Sequence, residues 1–181
     1  RVKIEEHYTR AAVGGVGRAK AAGNYGASLY PAKLAQQQGF HQLVWTDAKT
    51  HTFIEESGTM NIVFVIDDKI ITPTEEADTI LRGTTKKTVL ELARQWGIPV
   101  EERPVTVAEI INAAKTGKLQ DAFGAGTAAT IAPIALIGYR DEKITLPALE
   151  TRTLSLKIKA HLDGVKSGAI EDTMHWVQKV G

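Results

Sequence analysis

The sequence predicts a single domain of the α+β, mixed α/β kind, and three observations predict it. Its 181 residues suffice for one sizeable core and fit one domain more readily than two. Short β-rich runs dominate the first half, and segments of helical periodicity are interleaved with strands along the chain. Several neighbouring strands are joined as direct hairpins, which requires a mixed sheet and not a purely parallel one.

The elements follow in order. VKIEEHYT, Val2 to Thr9, alternates as a strand. ASLYPAKLAQQQGF has a helical pattern that stops at Gly39, with Pro31 expected in its first turns or at a kink. QLVWTD, FIEES, NIVFVI and KIITP read as strands, the last two forming a hairpin that turns at Asp67 and Asp68. In TTKKTVLELARQWG, Val89, Leu92, Ala93 and Trp96 make one apolar helix stripe closed by Gly97. Thr106 and Glu109 form a capping box, each side chain satisfying a backbone N–H, and open a helix through Ala114 that stops at Gly117. DAFGAG, TIAPIALIGY and KITLP return to strand character; Leu154, Ile158 and Leu162 give the last helix its buried face, and MHWVQKV closes the chain.

Composition excludes several classes of function. A content of 43% hydrophobic and 24% charged residues is that of an ordinary packed protein. A formal net charge of +1 creates no field toward nucleic acid or anionic membrane. The apolar run in NIVFVID falls far short of the ~20 residues a spanning helix needs. With no cysteine there is neither a disulfide framework nor a thiolate metal site, and a cytoplasmic location is expected. His7, His41, His51, His161 and His175 lack the spacing of a helical metal site, and no GxSxG elbow is present. The first residue is Arg1, so the chain is expected to begin partway through a longer protein.

Four features carry chemistry. Lys20 stands among small residues just before what reads as a tight glycine–asparagine turn, in GRAKAAGNYGASLY. LRGTTKK runs straight into a helix, so its glycine and threonines present N–H groups, hydroxyls and the positive end of a dipole, which favour a phosphate; the plainer reading is that Thr84 or Thr85 caps the helix. FGAGTAAT lies between two strands, and its small residues let an anion approach the backbone closely. In FIEESGTMN, Glu55 and Glu56 point to opposite faces of a strand, so that one can stay in water while the other turns inward toward a cation or protonated nitrogen; the plainer reading leaves both solvated at a strand end. Neither glycine turn matches the phosphate loop of nucleotide-binding proteins. A lysine for an imine, a carboxylate for a pyridine nitrogen, a donor for a phenolic oxygen and a phosphate cup are together what pyridoxal 5′-phosphate needs.

AKAAGNYGASL, FIEESGTMNIVFV, ILRGTTKKTVLELARQWG and FGAGTAATIAPI, in this order, resemble the catalytic segments of the branched-chain amino acid aminotransferases, of PLP fold type IV, and the resemblance runs from about Ala11 to Val177. It implies a pseudo-barrel-like mixed sheet with surrounding helices. It also implies that Lys20 holds the cofactor covalently, Tyr25 bonds its phenolic oxygen, and Glu56 faces its ring nitrogen. Gly83, Thr84 and Thr85 would cradle the phosphate; Thr127 would contact phosphate and, with Ala128, the substrate carboxylate. The implied substrates are leucine, isoleucine or valine with 2-oxoglutarate and glutamate, and the implied assembly is a homodimer. Thr84 stands where the family has an aliphatic residue and Val63 where it has an aromatic one. Nothing here matches the family's smaller N-terminal domain, so residues 1–181 are expected to be the large, cofactor-binding domain, weak in cofactor binding and negligible in turnover by itself. The alternatives are D-amino acid aminotransferase or aminodeoxychorismate lyase of the same fold, or a non-catalytic domain.

Overall fold

The computed structural model describes residues 1–76, 78–178 and 180. Among them, eleven strands form one mixed sheet, and four helices pack on it. The strands are β1 (Val2–Ile4), β2 (Gln42–Thr46), β3 (Phe53–Ser57), β4 (Met60–Ile66), β5 (Lys69–Thr72), β6 (Val100–Glu102), β7 (Val105–Thr106), β8 (Leu119–Gly126), β9 (Thr130–Pro133), β10 (Leu136–Tyr139) and β11 (Glu142–Thr145). The helices are α1 (Ala22–Gln37), α2 (Thr84–Gln95), α3 (Val107–Lys115) and α4 (Thr153–Ser167). One path through the sheet runs β11-β10-β1-β2-β3-β4-β5-β6, with β7 on β3, β8 on β4 and β9 on β8. The β1–β10, β1–β2 and β5–β6 pairs are parallel and the others antiparallel.

Strand β4 organises this sheet. Residues 61–66 pair with β8, while the strand also pairs with β3 through Met60 and Asn61 and with β5 through Phe64 to Ile66. Its side chains alternate between two cores, as period-2 geometry requires. Ile62, Phe64 and Ile66 join a cluster that includes Ile54, Val105, Ile110 and Ile137 beneath α3. Val63 and Val65 join the cluster of Val89, Leu92, Phe123, Ile158 and Leu162 beneath α2 and α4. A third cluster, Ala35, Phe40, Leu43 and Trp45, sits under α1.

Most expected elements are present, and the differences have local causes. The first strand ends at Ile4 because the Glu5 carboxylate accepts the N–H groups of Glu6, His7 and Tyr8 and turns the chain. The GNY segment is the first turn of α1 and not a separate turn. Asn24 explains this: buried, it donates from Nδ2 to the carbonyls of Val16 and Ala19 and ties the preceding loop to the helix start. Pro31 lies inside α1, which continues to Gln37. TIAPIALIGY divides into β9 and β10, since Pro133 has no N–H and the Ile134 carbonyl is taken by Arg152. The capping box is half formed: Thr106 Oγ1 accepts the Glu109 N–H, but the Glu109 carboxylate pairs with Arg103.

The stops at Gly39, Gly97 and Gly117 take φ of +85°, +73° and +71°, and the Asp67–Asp68 hairpin turn has φ of +48° and +60°. A close approach explains Gly138 in β10, where a Cβ would lie 2.3 Å from Cζ of the buried Phe40 ring. Gly138→Ala should therefore lower stability by about 1–3 kcal/mol. Chemical denaturation checks this, and adding Phe40→Leu should recover part of the loss.

Candidate functional site

The cleft at the start of β4 is built from four separate segments. Lys20 comes from the loop before α1, Glu56 from β3, Gly83, Thr84 and Thr85 from the start of α2, and Thr127 from the β8–β9 turn; all six line one cleft of about 60 Å³. Tyr25, half-buried on α1, stands at its edge with its ring centre 5.7 Å from Lys20 Nζ. Ala128 follows Thr127 on the exposed turn and does not line the cleft. Lys20 itself is exposed.

Neither solvated reading of the two glutamates holds. Glu55 is 5% and Glu56 3% exposed, although they occupy opposite faces of β3. Segment 79–81 reaches both: Thr79 Oγ1 donates to Glu55 Oε1 at 2.5 Å, and the Leu81 N–H donates to Glu56 Oε1 at 2.6 Å. Arg10, also buried, brings Nε to 3.3 Å from Glu56 Oε2, but outside hydrogen-bond geometry, so this N–H stays unpaired. The Arg10 guanidinium is used instead on the carbonyls of Gly17 and Thr79. Burial raises the Glu56 carboxyl to about 7; Arg10 and the Leu81 N–H oppose the rise, and Glu55 adds to it. Burial also raises the Glu55 carboxyl, against the Thr79 hydrogen bond.

At the opposite wall, α2 begins without a side-chain cap. Gly83 occupies the N-cap position, so Thr84 and Thr85 lie in the first turn and do not cap it. The Lys87 N–H bonds to the Gly83 carbonyl, which leaves the N–H groups of Thr84, Thr85 and Lys86 without intrahelical acceptors, and no acidic residue occupies that turn. This favours an anion. Only glycine fits at 83, because a Cβ would lie 1.9 Å from Asn61 Oδ1. Asn61 in turn donates from Nδ2 to the Leu81 carbonyl at 2.9 Å, so one side chain aligns both Leu81 and Gly83. Behind the turn, Lys86 is fully buried, with Nζ 2.6 Å from Glu75 and 3.7 Å from Glu102.

The donor set fits pyridoxal 5′-phosphate: a carboxylate lacking one full partner faces an uncapped helix start across the cleft, with a lysine at the rim. Sequence reasoning missed Arg10, Asn61 and Leu81. The inward carboxylate had required a cation, and Arg10, alone among small residues in TRAAVGG, was the available signal. Leu81 acts through its backbone, and no side-chain motif announces that.

Residues 7–137 match the family model described as amino-transferase class IV. The chain is 38% identical over 180 residues to branched-chain-amino-acid aminotransferase 2 of Bacillus subtilis, covering 99% of this chain and 49% of that protein. It is 41% identical over 176 residues to a probable branched-chain-amino-acid aminotransferase of Staphylococcus aureus, covering 97% and 49% respectively. The chain thus spans about half the length of the curated relatives it matches. Among solved structures, the branched-chain aminotransferase of Thermoproteus uzoniensis, determined with norvaline, superposes with a TM-score of 0.79 at 27% identity, covering 98% of this chain and 55% of that one.

The raised Glu56 value carries a pH prediction. The folded carboxyl binds its proton more tightly than the ordinary value of 4.5 allows, so its stabilising contribution is full below pH 4.5 and is lost as pH rises through about 7. The stability difference between the cofactor-free chain and Glu56→Gln should therefore fall by about 3 kcal/mol across that window. Urea unfolding at stepped pH measures it; a constant difference would show that Glu56 titrates normally.

Proposed function

Because the chain belongs to the class IV aminotransferase family, we propose that residues 1–181 are the cofactor-holding large domain of a branched-chain amino acid aminotransferase, moving the amino group of leucine, isoleucine or valine to 2-oxoglutarate and yielding glutamate. The observation that carries this reading is the cleft, in which Lys20 and a buried Glu56 converge on the uncapped start of α2. The names of the matched relatives support the substrate class.

Pyridoxal 5′-phosphate, when bound, supplies an electron sink for the substrate α-carbon. The chain's residues do the rest. Lys20 Nζ would hold the cofactor and, as a free amine, would take the proton from the substrate Cα and later return one, first as base and then as acid. Glu56 would hold the proton on the pyridine nitrogen, with the Leu81 N–H fixing the carboxylate in place and the Arg10 charge beside it. Tyr25 donates to the phenolic oxygen. Gly83, Thr84 and Thr85 bind the phosphate through the first turn of α2. Thr127 contributes a further phosphate contact and, with Ala128, binds the substrate carboxylate. The same reading makes the protein a cytoplasmic homodimer. Val13, Val16, Leu29 and Tyr30, all exposed on the loop and helix flanking Lys20, supply apolar surface for a second copy.

Loading the chain with pyridoxal 5′-phosphate, reducing with borohydride and mapping peptides should find the adduct on Lys20; an adduct on Lys33, Lys86 or Lys87 would overturn the assignment. Adding amino acids to the loaded chain then separates the rivals within the fold. Conversion of the cofactor to its amine form, however slow, should occur with L-leucine and not with D-alanine, and the reverse preference would move the protein to the D-amino acid aminotransferases.

A further inference from the structure

Thr130 closes the turn that carries Thr127 and Ala128, and it does so in a conformation threonine avoids. Its φ is +57°, in the left-handed region where a β-branched side chain is strained. The Ile131 N–H donates to the Ala129 carbonyl at 2.7 Å, a bond spanning one residue that folds the chain sharply at Thr130. Glycine would take this turn without strain. Thr130 instead has a buried side chain, 4% exposed, whose hydroxyl is used twice.

Both partners come from α4. Thr130 Oγ1 donates to Asp163 Oδ1 at 3.1 Å and accepts from Lys166 Nζ at 2.5 Å. Asp163 and Lys166 are themselves 3.9 Å apart, and Lys159 pairs with Asp163 from the preceding turn. The helix that bears these charges is seated on the sheet through Ile158 and Leu162, in the cluster that also holds Ala125 and Ile131 on either side of the turn. The hydroxyl is therefore held between two opposite charges, each on a half-exposed side chain, that a packed helix presents to it. A turn this costly persists only where its surroundings over-determine it.

We infer that Thr130 is a positioning residue: α4, through Asp163 and Lys166, holds it in the left-handed turn and so keeps Thr127, which lines the cleft, toward the cofactor phosphate. This deepens the function proposed above and rests on it.

Titration of pyridoxal 5′-phosphate into the 181-residue chain and its variants tests the inference. Thr130→Ser keeps the hydroxyl and should bind within about twofold of the parent, whereas Thr130→Val keeps the branched shape, loses both bonds and should bind about tenfold more weakly. Lys166→Met, which leaves the turn's own sequence intact, should weaken binding in the same direction and decides the matter if Thr130→Val does not fold. Pyridoxal, which lacks the phosphate, is the control: the parent and the variants should bind it alike. If Thr130→Val and Lys166→Met bind pyridoxal 5′-phosphate like the parent and only melt at lower temperature, the side chain is merely structural and the inference falls. If the parent chain binds no pyridoxal 5′-phosphate, the functional reading falls first and takes this inference with it.

Discussion

Burial of both faces of β4 is the constraint on which the rest of this molecule depends. A strand with one wet face can slide by a residue at modest cost, but a slip here would exchange Ile62, Phe64 and Ile66 with Val63 and Val65 and disturb two cores at once. The register of β4 is thereby locked against β8, and through β8 the turn at Thr127 is set in space. Its hairpin with β3 does the same for Glu56, which pairs directly with Asn61. The cleft lies where these two locked pairings meet the start of α2.

The site is consequently assembled from backbone as much as from side chains. Leu81 contributes an N–H to Glu56 and a carbonyl to Asn61, and Thr79 contributes a hydroxyl to Glu55 and a carbonyl to Arg10. One short segment thus ties the carboxylate end of the cleft to the anion end. An isolated buried carboxylate is expensive, and Glu56 is only partly compensated by Arg10 and Leu81. Its raised proton affinity is the measure of what a cationic ring nitrogen would relieve.

Much of this was legible in the sequence where a local rule sufficed. The glycine stops at 39, 97 and 117, the hairpin at Asp67–Asp68 and the stripe of α2 follow from short-range geometry, and the structure contains them. The motif residues Lys20, Glu56, Gly83, Thr84, Thr85 and Thr127 do line one cleft. What escaped depends on partners distant in sequence. Glu55 seemed free to reach water because its strand alternates, yet Thr79, remote in sequence, covers it. The α1 start was misread because its N-terminal anchor is a side chain, Asn24, reaching back to Val16 and Ala19. The burial of Arg10 and Lys86 likewise comes from tertiary packing, which no local rule announces.

Lys86 has a consequence for the history of the sequence. Its ammonium sits in the first turn of α2 and pairs with Glu75 and Glu102, two carboxylates on separate segments behind the uncapped start of that helix. A change to a neutral residue at 86 alone would leave Glu75 and Glu102 only their more exposed partners, Arg82 and Arg94, and loss of both acids would leave a buried cation unpaired. Neither route is open one substitution at a time without a penalty, so positions 75, 86 and 102 are bound to drift together. Descendants of this chain should preserve the sum of charge at those three positions more faithfully than the identity of any one of them.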